Sequence, residues 1–237
     1  MDAFTYTDIF DTKGIEYIIV IFFLLMIIPV WIILNRPLKL KARVSRAAGA
    51  LTAAILRVPK GLLFSKNHTW THMGHSGNAR IGVDDLLLHL TGGVEVGFLQ
   101  EQGTRIRKGD LLAILQRDGK KLEVTSPITG RVERVNPTLV ENPGALKEDP
   151  YHSWLYEIEP ENWKEETGRF LLAGEASRWI GEELSRFKDF LAETVHGGEG
   201  QASVEPVLQA GGELIDEPLS EMDQEVWSSF QSAFLTM

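Results

Sequence analysis

Between Tyr17 and Asn35 the chain runs for nineteen residues without a charge, almost all of them Ile, Leu, Val, Phe, Met or Trp. At about 1.5 Å of rise per residue, a helix of that length nearly matches the roughly 30 Å hydrocarbon core of a bilayer. Pro29 and Trp31 lie inside the run, and proline is tolerated in membrane helices, where it kinks them. A cleaved leader would need a basic start and a small-residue cleavage site. Here residues 1–16 carry Asp2, Asp8, Asp11 and Glu16 against Lys13, and Asn35-Arg36-Pro37 follows the run. The pattern predicts an uncleaved single anchor over residues 17–35, with Tyr17 and Arg36 at its ends. Arg36, Lys39, Lys41, Arg43 and Arg46 follow it, so the positive-inside rule places the short N-terminus outside and the rest in the cytoplasm of a bacterial inner membrane.

The remainder is too polar for further spans, with a mean hydropathy near zero. A net charge of −9 argues against general nucleic-acid binding. The absence of cysteine excludes disulfides, thiolate catalysis and Cys-ligated metal centres.

Residues 36–63 form a basic connector. Val44, Ala47, Ala48, Leu51, Ala54, Ile55 and Val58 recur at three- and four-residue steps, which predicts an amphipathic helix ended by Pro59-Lys60-Gly61. Two placements fit: at the membrane surface or against a partner subunit, or packed on the domain that follows.

From Phe64 the pattern changes to short apolar runs between Gly, Asp and Pro turns. Residues 78–83, 94–99, 111–116, 121–126 and 130–136 read as strands, and residues 83–90 as a short helix. That series predicts a mainly β sandwich or barrel. Within it stand His68-Thr69-Trp70, Arg80-Ile81-Gly82-Val83-Asp84-Asp85, Lys108-Gly109-Asp110, Ser126-Pro127-Ile128-Thr129-Gly130-Arg131-Val132, Asn142-Pro143 with Glu148-Asp149-Pro150-Tyr151, and Ser153-Trp154-Leu155-Tyr156-Glu157-Ile158. In this order and at this spacing, residues 64–163 resemble the glycine cleavage system H protein. The resemblance implies the lipoyl/biotinyl-type fold, a flattened β sandwich (barrel-sandwich hybrid) of two sheets, and a carrier rather than an enzyme.

The resemblance also implies an attachment lysine for lipoate eight residues before the proline of the Ser-Pro motif. Counting back from Pro127 reaches Gly119, and the tip reads Gln116-Arg117-Asp118-Gly119-Lys120-Lys121. Asp-Gly between apolar runs favours a two-residue type I′ turn. Lys120 and Lys121 are the fallback attachment sites, though a one-residue shift turns a side chain to the other face of the pleat. The expectation is therefore no lipoate and no other cofactor.

No nucleophile–base pair is legible, and His68, His72 and His75 lack an evident fourth metal ligand. Thr91-Gly92-Gly93 reads as a turn, with no phosphate-loop pattern after it.

Residues 164–196 hold an amphipathic helix, with Ala176, Trp179, Ile180, Leu184, Phe187, Leu191 and Val195 on one stripe. Residues 197–237 combine a Gly/Ser/Glu linker with a short helix near residues 223–234, its start marked by Ser220 and Asp223. Trp179, Phe187, Trp227, Phe230 and Phe234 are too many aromatics for a small β domain to bury alone, so they read as docking elements for a partner. The alternative is that the first helix packs back on the sandwich. The whole describes a non-catalytic, membrane-anchored accessory subunit of a respiratory or electron-transfer complex, its partners being integral membrane subunits and the bilayer. The rival is a tethered lipoyl carrier, modified on Lys120 or Lys121, that serves a nearby oxidoreductase. A third reading is a decoy that engages lipoate enzymes.

Overall fold

The computed structural model describes residues 17–27, 50–197 and 214–236. The chain divides into two compact units, Met1–Lys41 and Ala42–Met237. In the first, residues 17–27 are helical and every side chain is exposed, Tyr17 among them. Among the described residues no helix is long and apolar enough to cross a membrane. Pro29, Trp31 and Arg36 lie outside the described residues, as does the apolar run beyond residue 27.

Among the described residues the second unit has three sheets, of which the two larger form the sandwich and the third is a two-stranded pairing. Strands β2 (Leu63–Phe64), β3 (Thr69–Met73), β4 (Ala79–Val83), β6 (Arg105–Ile106), β9 (Gly130–Val135), β10 (Tyr156–Pro160) and β11 (Leu171–Leu172) form a seven-stranded sheet ordered β11-β2-β3-β4-β10-β9-β6. Strands β5 (Glu95–Phe98), β7 (Leu111–Arg117) and β8 (Lys120–Thr125) form a three-stranded sheet. Tyr156 joins the two: its hydroxyl donates to the Leu112 carbonyl at 2.9 Å, and its ring meets Phe98 edge-on at 5.6 Å. Burial, against two backbone N–H bonds from Gln100 and Leu99, holds that phenol above its usual pKa. The expected mainly β sandwich is present.

The sequence motifs mark close approaches. Gly82 lies under the Trp70 ring, where any Cβ would collide with the indole. The Trp70 indole N–H donates to the Pro150 carbonyl at 3.2 Å, which ties the Pro-Tyr motif to the first long strand. At Gly130 a Cβ would strike the Glu159 carbonyl on the paired strand. Gly109, at φ 90°, turns the chain so that its N–H donates to Ser126 O at 2.8 Å, and Ser126 N returns a bond to Asp110 O. Asp84 caps α1 (Asp85–Thr91) through Leu87 N at 2.8 Å.

The connector expectation is corrected over its described part. Residues 50–63 contain no helix: Ala50–Leu51 form β1, followed by turns and β2. Strand β1 pairs antiparallel with β12 (Leu214–Ile215), Leu51 opposite Leu214. Leu51 and Ile55 enter the core, and Arg57 N donates to Asp85 Oδ2 at 2.7 Å. Contacts distant in sequence override the local helical spacing. Residues 36–49 lie outside the described residues.

The long helix is present as α2 (Ala173–Gly197), with Ala176, Trp179, Ile180, Leu184, Phe187 and Leu191 all buried. The side chain of Val195 lies outside the described residues. After a 3₁₀ turn at Pro218–Glu221 comes α3 (Gln224–Phe230), capped by Asp223 on Val226 N, and then a π turn at Gln231–Leu235. Ser220 does not cap this helix; its hydroxyl donates to Glu217 O.

The docking expectation for the aromatics is also corrected. Phe187, Trp227 and Phe230 are fully buried, and Trp179 and Phe234 nearly so, within this chain's own core. Phe187 meets Phe230 edge-on at 5.6 Å and Phe234 at 6.0 Å, while Phe230 and Phe234 stack at 4.8 Å. The helix and tail supply each other's apolar surface, so no partner is needed to cover these rings. Truncating Phe187 to Ala is expected to cost about 3–5 kcal/mol of unfolding free energy in urea titrations of the full chain.

Candidate functional site

The β7–β8 hairpin is the site that the motifs single out. Its strands pair Leu115 with Leu122, Gln116 with Lys121 and Arg117 with Lys120, leaving Asp118 and Gly119 as a two-residue turn. Both have positive φ, 50° and 80°, as a type I′ turn requires. The turn points into open space: a Cβ at Gly119 would meet nothing within 4 Å. An L-residue there would still bear the backbone strain of φ +80°, of the order of 1 kcal/mol.

The two lysines after the turn face different surroundings. Lys120 shares a pleat face with Leu122 and Val124, both buried, whereas Lys121 is exposed. The Lys120 ammonium donates to the carbonyls of Ser220 at 2.6 Å and Met222 at 3.0 Å, and lies 5.4 Å over the Trp227 ring. Two carbonyl acceptors and a π face hold the cation without a carboxylate. Trp227 is itself oriented by its indole N–H bond to Leu219 O at 2.7 Å.

Further along, the tail seals the free edge of β8. Glu123 N donates to Gln231 Oε1 at 2.7 Å, and Gln231 Nε2 donates to Glu123 O at 3.2 Å. The side-chain amide thus takes the place of a neighbouring strand. At the tip, Arg117 bonds Glu217 Oε2 at 2.7 Å and Thr91 O at 2.8 Å, and Glu217 also pairs with Lys147. His89 and Asp216 join at 2.6 Å beside them. Glu217, Lys147 and Gln231 leave no mark in the sequence because single polar residues carry no periodic signal, and His89 on the short helix gives no independent signal there. The left-handed φ of 62° at Glu217 likewise leaves no mark in the sequence.

Of the three neighbouring histidines, only His68 is buried deep in the fold. Its Nδ1 bonds Asp84 Oδ2 at 2.8 Å, its Nε2 faces Glu183 at 3.9 Å, and its ring stacks on Trp179 at 5.1 Å. Burial works to lower its pKa. The Asp84 carboxylate, by charge and hydrogen bond, and then Glu183 more than offset that, with Arg186 opposing, so the value lies above 6.5. Tyr151 OH donates to Arg57 O, and burial beside Asp84 and Asp85 pushes its pKa far up.

A family model described as Glycine cleavage H-protein matches residues 62–183. A probable glycine cleavage system H protein of Thermococcus kodakarensis is 33% identical over 110 residues, which is 46% of this chain and 82% of the relative. A glycine cleavage system H protein of a Thermoanaerobacter strain is 30% identical over 128 residues, 54% of this chain and all of the relative. A crystal structure of a glycine cleavage system H protein from Mycobacterium marinum superposes with a TM-score of 0.47 at 22% identity, over 52% of this chain and 99% of that one.

Two outcomes are expected. Lys120→Ala removes two charge-assisted bonds, so the amides of Val226–Phe230 should exchange with solvent about tenfold faster, whereas Lys121→Ala leaves them unchanged. The second concerns pH. His68 binds its proton more tightly in the folded chain, so its stabilising contribution is complete below pH 6.5 and is lost as pH rises through the raised folded value. NMR titration should place His68 above 6.5, and Glu183→Gln should move it down.

Proposed function

The chain belongs to the glycine cleavage H-protein family, and from that premise we propose that it is a non-catalytic, membrane-tethered interaction module whose hairpin carries no lipoate. The observation that carries this reading is the state of the hairpin. Gly119 stands where the resemblance expects the attachment lysine, in a turn built on positive φ, and the neighbouring Lys120 is bound by the chain's own tail. Its relatives are named as H proteins, which are carriers rather than catalysts, and a fold can be kept when its chemistry is not.

Tethering follows from the charge-free run at residues 17–35 with its basic C-terminal flank, which fits a single pass of the inner membrane, N-terminus outside. The proposed partners are integral subunits of one membrane complex of the respiratory or electron-transfer kind. With the tail aromatics buried, the surface best suited to docking is on the large sheet. There Arg80 and Arg134 flank Trp154, at 5.5 and 5.2 Å from its ring, and Glu157 pairs with both guanidiniums. Trp and Arg are residue types that anchor interfaces.

A tethered carrier is the second reading, favoured by the family itself, and exposed Lys121 is its best attachment site. Intact mass of the chain from native membranes, with peptide mapping across residues 116–126, separates the two. An unmodified mass is expected; a lipoyl increment on Lys120 or Lys121 would establish the carrier. Under the proposal, Trp154→Ala should also reduce co-purification of the membrane partners at least severalfold without unfolding the domain.

A further inference from the structure

A concavity of about 850 Å³ lies away from the hairpin tip, between the start of α2, the segment around β11 and the end of the tail. That is the size range of small-molecule sites. Its apolar lining comes from Phe170, Leu171, Trp179 and Phe234. Trp179 is fixed from behind by its stack on His68, and Phe234 by its stack on Phe230. The lining is therefore preformed.

Four cations and two carboxylates complete it, a local positive excess on a chain of net charge −9. Arg186 is spoken for: it bonds Glu183 at 2.7 and 2.8 Å and lies 4.1 Å over the Phe234 ring. Lys66, Lys108 and Arg169 come from three separate segments, are exposed, and take part in none of the ion pairs among the described residues. Lys108 lies 5.3 Å over the Phe170 ring, which puts a cation directly against the apolar lining. Glu182 is the one carboxylate there that Arg186 does not engage, and its presence disfavours a polyphosphate. What remains is three cations against Glu182, a net +2, which favours an anionic head on an apolar body.

We infer that this groove binds an amphipathic monocarboxylate, an aliphatic acid of medium length. The carboxylate meets Lys66, Lys108 and Arg169, and the chain lies along half-buried Phe170 and Leu171, bounded by the small exposed parts of Trp179 and Phe234. The site is independent of whether the hairpin is modified.

The test is lysine footprinting of the full chain in its native membranes, with an acetyl N-hydroxysuccinimide ester and octanoate as the probe. Octanoate should slow acetylation of Lys66 and Lys108 saturably and at least threefold, with exposed Lys121 as the unchanged internal reference. Octyltrimethylammonium, with the same chain and opposite charge, should have no such effect. Arg169→Gln, an exposed change that keeps both reporters, should raise the octanoate concentration for half-protection about tenfold. The inference fails if octanoate slows Lys121 equally or protects neither lysine, or if the cation protects as well. It also fails if Arg169→Gln changes nothing, or if hexaglutamate protects where octanoate does not, which would make the groove a peptide site.

Discussion

The contact of Phe187 on α2 with Phe230 and Phe234 in the tail is the interaction on which the functional surface depends. A β sandwich of this size has one core, and Tyr156 between the sheets already occupies its centre. The rings of α2 and the tail form a second apolar layer that neither element could bury alone. Dispersion among them holds residues 214–235 in place. That placement brings Trp227 over Lys120, Gln231 to the free edge of β8 and Glu217 to Arg117. The polar contacts at the hairpin are thus consequences of an aromatic one. Several are partly exposed ion pairs, each worth about 0–1 kcal/mol, and they could not order the tail without the rings.

Much of the sandwich was legible because its motifs are steric statements. Glycine at 82 leaves room for Trp70, glycine at 130 allows β9 to approach β10, and Asp84 before an apolar run caps α1. Asp118-Gly119 announced its turn type for the same reason: few residue pairs tolerate two successive positive φ values. These are local or nearest-strand constraints, and residue identity encodes them directly.

What the sequence did not disclose was non-local. Leu51, Ala54, Ile55 and Val58 have helical spacing, yet Leu51 pairs with Leu214 across most of the chain. Spacing reports which residues share a face if a helix forms; it cannot report a strand partner that distant. The tail rings posed a related problem. Their number demanded burial, but hydrophobicity has no direction, and a surface on a partner satisfies it as well as a surface on α2. The choice became visible only with the ring-to-ring geometry.

The hairpin shows how one step along a strand changes what a lysine can do. Side chains on β8 alternate, so Lys120 runs with Leu122 and Val124 toward the covered face, and Lys121 turns to solvent. A carrier arm needs a lysine free to sweep outward from the tip. At Lys120 that freedom would cost two carbonyl bonds and the Trp227 contact, and it would loosen the tail that closes the β8 edge. At Gly119 the space is open but the backbone is in a conformation suited to glycine. Space and backbone preference therefore pull in opposite directions at the tip. The hairpin is well formed as a rigid projection, and its second strand serves as the seat of the C-terminal segment.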